Sequence, residues 1–229
     1  MYINEIDIQR YEARQVNVVI GNHAITNASQ WPRGSLSPVL ESNHIGMKPI
    51  KVVMSVRGDG REKICDNVSK ILSLLLEPVT LILDGFTHKF RAALKNHDHK
   101  ETCMRRWHVL TLQFEGYELG LEEEVSATGT SISVVNAGNL ISPCIIEVTS
   151  ATDLDELTLE GLSTPITIYN LSAGKTVTID GESGLMLEDE VNKFPEMDID
   201  ELPYLFPGEA VITSSAEVTV TIKHSPRYM

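Results

Sequence analysis

The chain has 229 residues, of which 42% are hydrophobic, so it contains enough apolar material for one large all-β domain or two small ones. It has no run of about 18 apolar residues that could span a bilayer, and its first five residues include neither a basic nor an apolar signal region. We therefore expect a soluble protein that is made in a cytoplasm. Three widely spaced cysteines, Cys65, Cys103 and Cys144, indicate neither a disulfide framework nor a zinc site.

The net charge of −13 is distributed unevenly along the chain. Residues 1–125 carry 15 Lys plus Arg against 16 Asp plus Glu, whereas residues 126–229 carry 4 against 16. Binding to nucleic acid or to an anionic membrane depends on cationic side chains at phosphates. The acidic second half therefore argues against DNA, RNA and lipid as partners. The locally basic stretch 91–106 is too diluted by histidines and acids to form a phosphate-binding patch.

The first predicted strands are separated by a long irregular stretch. An apolar run at residues 16–20 predicts a short strand, and the β-branched run at residues 50–56 predicts another. Between them, residues 21–49 contain turn formers around Trp31 and Pro38. A connection of this length within a small domain is usually functional or mobile, so we expect residues 21–49 to form a loose loop.

One amphipathic helix is expected at residues ~61–76. Apolar residues recur there at the spacing of a single helix face, namely Ile64, Val68, Ile71, Leu72 and Leu75. Asp59 stands where it can cap the helix start, Glu62 follows in capping-box position, and Pro78 closes the far end. The tripeptide Arg57-Gly58-Asp59 can signal binding to cell-adhesion receptors in extracellular ligands. The capping role of Asp59 explains it better here.

A β-hairpin is expected after the helix. Residues 79–83 and 87–94 have strand-like composition, and Asp84-Gly85 between them suits a tight turn. A polar group comes next, formed by His97, Asp98, His99, Cys103 and His108. These side chains are of types that bind metals, but no second pair stands at a recognised zinc spacing. A polar hairpin tip explains the group as well as a metal site does.

The chain changes character after a long predicted strand at residues 106–117. Residues 116–129 include three consecutive glutamates and end in Ser-Ala-Thr-Gly, a composition typical of an exposed connector. Residues 130–150 then have the pattern of strand, turn and strand, with Asn136, Gly138 and Asn139 at the turn. We place the domain boundary in the connector, which gives domains at residues 1–125 and 126–229.

Short threonine-rich strands are expected throughout the second half. Aliphatic residues alternate with threonine at residues 157–159, 166–168, 177–179 and 218–222, as in strands with one buried and one wet face. No helical periodicity occurs after residue 126. The sequence therefore predicts a mainly β protein, with an N-terminal mixed β domain that contains one α-helix and a C-terminal antiparallel β-sandwich. The acid-rich stretch 188–201 is expected to be a solvated loop.

No catalytic motif is present in the sequence. It lacks a Gly-x-Ser-x-Gly elbow, a phosphate-binding glycine loop and a zinc-protease helix. Paired carboxylates, which suffice for glycoside hydrolysis, are abundant in the second half. However, Trp31 and Trp107, the two tryptophans that could provide a sugar platform, both lie in the first half. We therefore expect no enzymatic activity and no cofactor, and we name no catalytic, cofactor-binding or metal-binding residue.

The order of these parts resembles that of a known family. A strand ending Phe-Glu-Gly-Tyr at residues 114–117 is followed by Val-Asn-Ala-Gly-Asn at 135–139 and Pro-Cys-Ile-Ile-Glu at 143–147. Later come Ile-Tyr-Asn-Leu at 168–171, Val-Thr-Ile-Asp-Gly at 177–181, Phe-Pro-Gly at 206–208 and Ser-Pro-Arg at 225–227. Over nearly the whole chain, these motifs are similar in order and spacing to the distal tail protein (Dit) family of long-tailed (siphovirus) phages.

The resemblance implies a structural role rather than a catalytic one. In that family the first domain assembles into a hexameric ring that continues the tail tube, and the second domain, a galectin-like β-sandwich, points outward. The resemblance therefore implies a hub at the distal tail tip of a virion that is assembled in the bacterial host cytoplasm. The implied partners are other copies of the chain in a homo-oligomer, the tail tube protein, a tail tip or tail-associated protein, and receptor-binding proteins.

The galectin-like sandwich also suggests an alternative function, a carbohydrate-binding module that recognises host cell-wall glycans. Galectins stack a sugar ring on a tryptophan, and residues 126–229 contain none. Fold alone is weak evidence for function. We therefore prefer a docking or spacer role for the second domain, with glycan binding as the alternative.

Overall fold

A computed structural model describes the backbone of residues 1–229 and every side chain except that of Asn43. Strands comprise 59% of the residues and helices 9%, which confirms the mainly β prediction. The chain divides into two units. Unit 1 comprises Met1–Leu119 and the last residue, Met229, and unit 2 comprises Gly120–Tyr228. Each unit has its own cluster of buried hydrophobic residues.

The strands of unit 1 build one large antiparallel sheet and one small sheet. They are β1 (Tyr2–Ile3), β2 (Ile6–Asp7), β3 (Ala13–Ile20), β4 (Ile25–Gln30), β5 (Val39–Ile45), β6 (Lys48–Arg57), β7 (Val79–Ile82), β8 (Lys89–Glu101) and β9 (Trp107–Leu119). Seven strands of the large sheet follow the order β2-β1-β7-β8-β9-β6-β3, so β3 is at the end of that order. In the described part of the chain, strands β4 and β5 form a separate two-stranded hairpin.

The predicted helix covers the core side of the large sheet. Helix α1 spans Arg61–Ser73, slightly shorter than predicted, and buries the apolar face that its periodicity defined. Its N-cap is Gly60, which makes no side-chain hydrogen bond, and Asp59 is exposed. The predicted capping role of Asp59 is therefore wrong. None of the helices in the described part of the chain has the length and hydrophobicity needed to cross a bilayer.

Three other expectations for this region are corrected. Residues 21–49 are not a loose loop, because most of them form the β4–β5 hairpin. The polar group that contains His97 and His99 lies mainly on β8 rather than at a hairpin tip, because β8 continues to Glu101. Residues 116–129 are mostly strand rather than connector, since β9 ends at Leu119 and the next strand starts at Glu123. The alternation of side chains continues through both strands and outweighs the loop-like composition.

The strands of unit 2 are also antiparallel. They are β10 (Glu123–Asn136), β11 (Ser142–Thr149), β12 (Leu154–Glu160), β13 (Ile166–Leu171), β14 (Thr176–Asp180), β15 (Met186–Glu188), β16 (Val191–Asn192), β17 (Met197–Ile199), β18 (Tyr204–Leu205), β19 (Gly208–His224) and β20 (Arg227–Tyr228). A short 3-10 helix at Phe194–Glu196 precedes β17. The stretch 188–201 is thus not a simple solvated loop.

The long strand β19 organises unit 2. It pairs with β10 from Glu123↔His224 to Asn136↔Gly208, with a register shift between Gly129 and Ser131. Its other edge pairs with β11 at residues 219–224 and with β12 at residues 213–214. From there one branch continues through β14 and β15, and the other through β13 and β17. Buried aliphatic side chains of both branches join in one cluster, so the two branches enclose one core.

Candidate interaction surfaces

The predicted polar group in unit 1 contains a close histidine pair. The ring nitrogens His99 Nε2 and His108 Nδ1 are 2.8 Å apart, and His108 is buried. Burial, followed by repulsion from His108, lowers the pKa of His99 below its usual range. His97 and Cys103 are both exposed. Among the side chains that the structure describes, no three His, Cys, Asp or Glu residues are arranged to hold a metal ion.

The β4–β5 hairpin exposes several large apolar side chains of unit 1. All six residues of β4 are exposed, and the connection to β5 presents Trp31 at 67% and Leu36 at 97% exposure. The turn is held by hydrogen bonds from Trp31 Nε1 to Ser35 O at 3.0 Å and from Ser35 Oγ to Ser37 O at 2.6 Å. We call the five most exposed large apolar side chains of this hairpin the hairpin surface: Ile25, Trp31, Leu36, Val39 and Leu40.

Strand β3 provides a second exposed feature in the same unit. It pairs with β6, and it lies at the end of the sheet order, with no strand of the described chain paired to its other edge. Val16 and Val19 on β3 are more than half exposed. An edge strand offers unpaired backbone N–H and C=O groups to an incoming strand. Unit 1 thus presents both an exposed hairpin and an open sheet edge.

Charge differs strongly between the units. Unit 1 up to Leu119 carries 15 Lys plus Arg against 13 Asp plus Glu, a net charge of +2, whereas unit 2 carries 4 against 19, a net charge of −15. Copies of unit 1 can therefore approach one another at little electrostatic cost. Copies of unit 2 repel one another, and the repulsion weakens as salt increases.

Asn136 organises the turn that carries part of the family-like sequence. Its Nδ2 donates to the carbonyl oxygens of Leu140 and Leu205, both at 3.2 Å. Its Oδ1 accepts from the Gly138 N–H at 3.0 Å and from Ser142 Oγ at 3.4 Å. Asn136 is buried and uses both of its polar atoms. The segment is therefore a structural turn that joins β10 to β11 and anchors β18.

Lys193 fixes the acid-rich segment of unit 2. It is buried, and its Nζ lies 2.9 Å from Asn170 O, 3.2 Å from Glu188 Oε2 and 2.6 Å from Glu196 Oε2. Burial disfavours the charged lysine, but the hydrogen bonds to Glu196 and Glu188 outweigh it and raise the pKa of Lys193. The sequence analysis did not predict this network. The pattern that could have indicated it is a single lysine between the acidic residues 188 and 196.

Two side chains of types used in catalysis, Cys144 and His224, are neighbours in unit 2. Burial raises the pKa of the Cys144 thiol to about 12, which keeps it protonated and unreactive at neutral pH. His224, its neighbour across the sheet, is buried, and burial lowers its pKa. The sequence named no catalytic or cofactor-binding residue, and the absence of enzymatic activity stays a prediction.

Comparisons with known proteins point to one fold. No protein-family model matches the sequence, and no curated protein matches it. Among solved structures, the chain is similar to the Dit protein of phage SPP1, described as a paradigm of the hub adsorption apparatus in phages that infect Gram-positive bacteria. The match has a TM-score of 0.74 and 16% identity and covers 97% of each chain.

Two further structures agree with this match. Both are baseplates of phage P2 in the activated conformation, one with Ca and one with Sr. The TM-scores are 0.55 and 0.51 with 11% and 13% identity, and each match covers 95% of this chain and 92% of the other. At these identities the likeness concerns the fold. The resemblance found in the sequence motifs is confirmed at that level: the chain has the fold of the phage distal tail (Dit) proteins.

Proposed function

We propose that this chain is a structural protein of a phage tail that forms a hexameric hub at the distal end of the tail tube. In this proposal, unit 1 forms the ring and joins the tube to the tail tip or baseplate, and unit 2 is the outward, galectin-like domain. The support is a Dit fold over 97% of the chain together with the exposed hairpin of unit 1.

The hairpin surface is the observation that carries the proposal. An isolated two-stranded hairpin is at best marginally stable in water, and this one exposes large apolar side chains along its length and at its turn. Such a surface gains stability when another chain covers it. The hairpin is therefore built for an assembled state, in which it packs against another surface.

A second copy of unit 1 is the occupant that fits the hairpin best. The open edge of β3, with Val16 and Val19 exposed, is a different surface of the same unit. A contact between two different surfaces is heterologous, and repetition of a heterologous contact closes a ring when the rotation allows it. The net charge of +2 on unit 1 opposes such packing only weakly. The number six comes from the resemblance to Dit proteins.

The charge of unit 2 supports an outward position for that unit in the ring. Six domains with a net charge of −15 each repel one another when crowded, so they favour positions away from the ring axis. The proposed partners of the ring are the tail tube protein on one side and a tail tip or tail-associated protein on the other. Receptor-binding proteins are candidate partners of the outer domain.

Light scattering coupled to size-exclusion chromatography tests the proposal. We expect an assembly of six chains, and we expect Leu36→Ser to shift it to monomer because Leu36 is almost fully exposed and gives an apolar contact only in the assembly. Leu76→Ser is the matched control, since Leu76 is also highly exposed in unit 1 but lies after helix α1. Monomer at every attainable concentration, or equal effects of the two variants, would contradict the proposed ring contact.

A further inference from the structure

One end of unit 2 carries a group of exposed apolar side chains, which we call the end patch: Ile141, Leu185, Leu202 and Phe206. Each is between 40% and 55% exposed. Exposed leucines and phenylalanines are common singly, but a contiguous group on a small domain marks a contact surface. The end patch belongs entirely to unit 2 and is separate from the hairpin surface.

Local contacts bring together the segments that carry these side chains. Strand β18 pairs with the start of β11 through Pro143↔Tyr204 and Ser142↔Leu205. Ile141 and Phe206 are the residues that directly adjoin this pairing, one beside each strand. A Cβ atom on Gly184 would lie 3.7 Å from a methyl carbon of Leu202, which places the turn before Leu185 beside Leu202. Three separate segments thus contribute to the end patch.

Backbone contacts hold the three segments together. Cys144 N donates to Pro203 O at 3.2 Å, and Gly181 N donates to Cys144 O at 3.0 Å. The aromatic rings of Tyr204 and Phe206 contact edge to face, with centroids 5.3 Å apart. The patch is therefore supported by paired backbone rather than by free loops, so it is preformed for binding.

The surroundings of the end patch are acidic. Exposed carboxylates occur on two of the three segments, Glu182 before Leu185 and Asp200 and Glu201 before Leu202. Glu201 accepts a hydrogen bond from the Tyr204 hydroxyl at 3.2 Å, and Glu182 lies 3.7 Å from Arg227. An apolar centre with an acidic rim is complementary to apolar side chains that are flanked by cationic ones.

We infer that the end patch docks a protein segment in which leucine or an aromatic residue is flanked by lysine or arginine. A second copy of unit 2 fits poorly, because it would bring one acidic rim against another. A sugar fits poorly as well, because the Tyr204 and Phe206 rings are inclined at 77° and offer no flat stacking platform. The inference concerns unit 2 alone and does not depend on ring formation by unit 1.

A panel of random 12-residue peptides, panned on the full chain and measured by fluorescence anisotropy, tests this inference. We expect selected peptides to carry Lys or Arg within a few positions of Leu, Phe or Trp. Their affinity should fall about tenfold or more in Phe206→Ser, as for loss of one central apolar anchor. Leu202→Ser should act in the same direction. Phe194→Ser is the matched control, because Phe194 is an equally exposed phenylalanine elsewhere in unit 2.

Electrostatics gives the second arm of the test. We expect Glu201→Gln to weaken binding at low salt and to have little effect at high salt, where screening removes the rim contribution. Unchanged melting temperatures would show that the variants are folded. Three results would overturn the inference: peptides that bind equally to Phe206→Ser, selection of acidic rather than basic peptides, or a glycan array on which binding depends on Phe206.

Discussion

Replacement of Lys193 by methionine tests whether the acid-rich segment of unit 2 is held by a buried ion-pair network. Methionine retains most of the length and packing of the lysine stem but removes the charge and all donors. The change leaves Glu188, whose side chain is 12% exposed, without its cationic partner. The carbonyl of Asn170 also loses a donor. We expect the segment from β15 to β17 to open.

The expected size of the effect follows from the three contacts. A hydrogen bond between charged groups contributes about 1.5–3 kcal/mol, and one to a neutral carbonyl about 1 kcal/mol. The contact with Glu196 adds little, because that carboxylate is 45% exposed and solvent screens it. Relief of lysine desolvation offsets part of the sum. A destabilisation of about 3 kcal/mol results, at the lower end of the range for breaking a buried ion pair.

Hydrogen exchange measured by mass spectrometry can locate this loss. An opening that costs about 3 kcal/mol less corresponds to exchange that is faster by about a hundredfold, since 1.4 kcal/mol is a factor of ten. The increase should be confined to peptides that cover residues 186–199. Lys175→Met is the matched control, because it removes the same charge from an exposed lysine in unit 2. Equal exchange in wild type and Lys193→Met would refute the reasoning.

Three further predictions concern the cores and the histidine pair. Gly116→Ala should destabilise unit 1 by about 3 kcal/mol, because a Cβ would lie 2.2 Å from a backbone oxygen of β8. Gly60→Ala, whose Cβ would meet no atom within 4 Å, should cost less in urea unfolding, about 0.5–1 kcal/mol, because alanine is a poorer N-cap than glycine. The fold lowers the pKa of His99 below 6.5. The free energy of unfolding of unit 1 should therefore be highest above pH about 6.5 and decrease as the pH falls below that value. In urea titrations at pH 7.5 and pH 5, His108→Gln should reduce the difference in stability between the two pH values. Asn136→Ala should destabilise unit 2 by about 3 kcal/mol in calorimetry, since several buried hydrogen-bonding groups lose their partner. A loss of stability under 1 kcal/mol would contradict the role assigned to Asn136.

Periodicity predicted the regular elements well. Ile64, Val68 and Ile71 are buried on helix α1, as their spacing required. The threonine-rich alternation likewise predicted antiparallel strands with one buried face, such as β13 and β14. These patterns are local, because side-chain direction repeats every 3.6 residues in a helix and every two in a strand. A single sequence is enough to detect them.

The sequence did not predict which distant strands pair, and its composition was misleading in two segments. No local signal shows that Glu123 pairs with His224 across about a hundred residues. Turn formers around Trp31 suggested a loose loop, yet the flanking residues form the β4–β5 hairpin. The sequence pattern did not reveal these strands, because an exposed hairpin lacks the apolar alternation of strands that face a core. Acid-rich composition similarly concealed the burial of Lys193. The candidate interaction surfaces depend on these unpredicted features, so the sequence alone did not identify them.

Electron microscopy of the purified chain is the most direct test of the proposed hub. Class averages should show closed rings with six-fold symmetry, with unit 2 at the periphery. Leu36→Ser should remove the rings, while Leu76→Ser should leave them intact. A uniform population of monomers at every concentration, or rings that persist in Leu36→Ser, would contradict the claim that the exposed hairpin of unit 1 builds a hexameric hub.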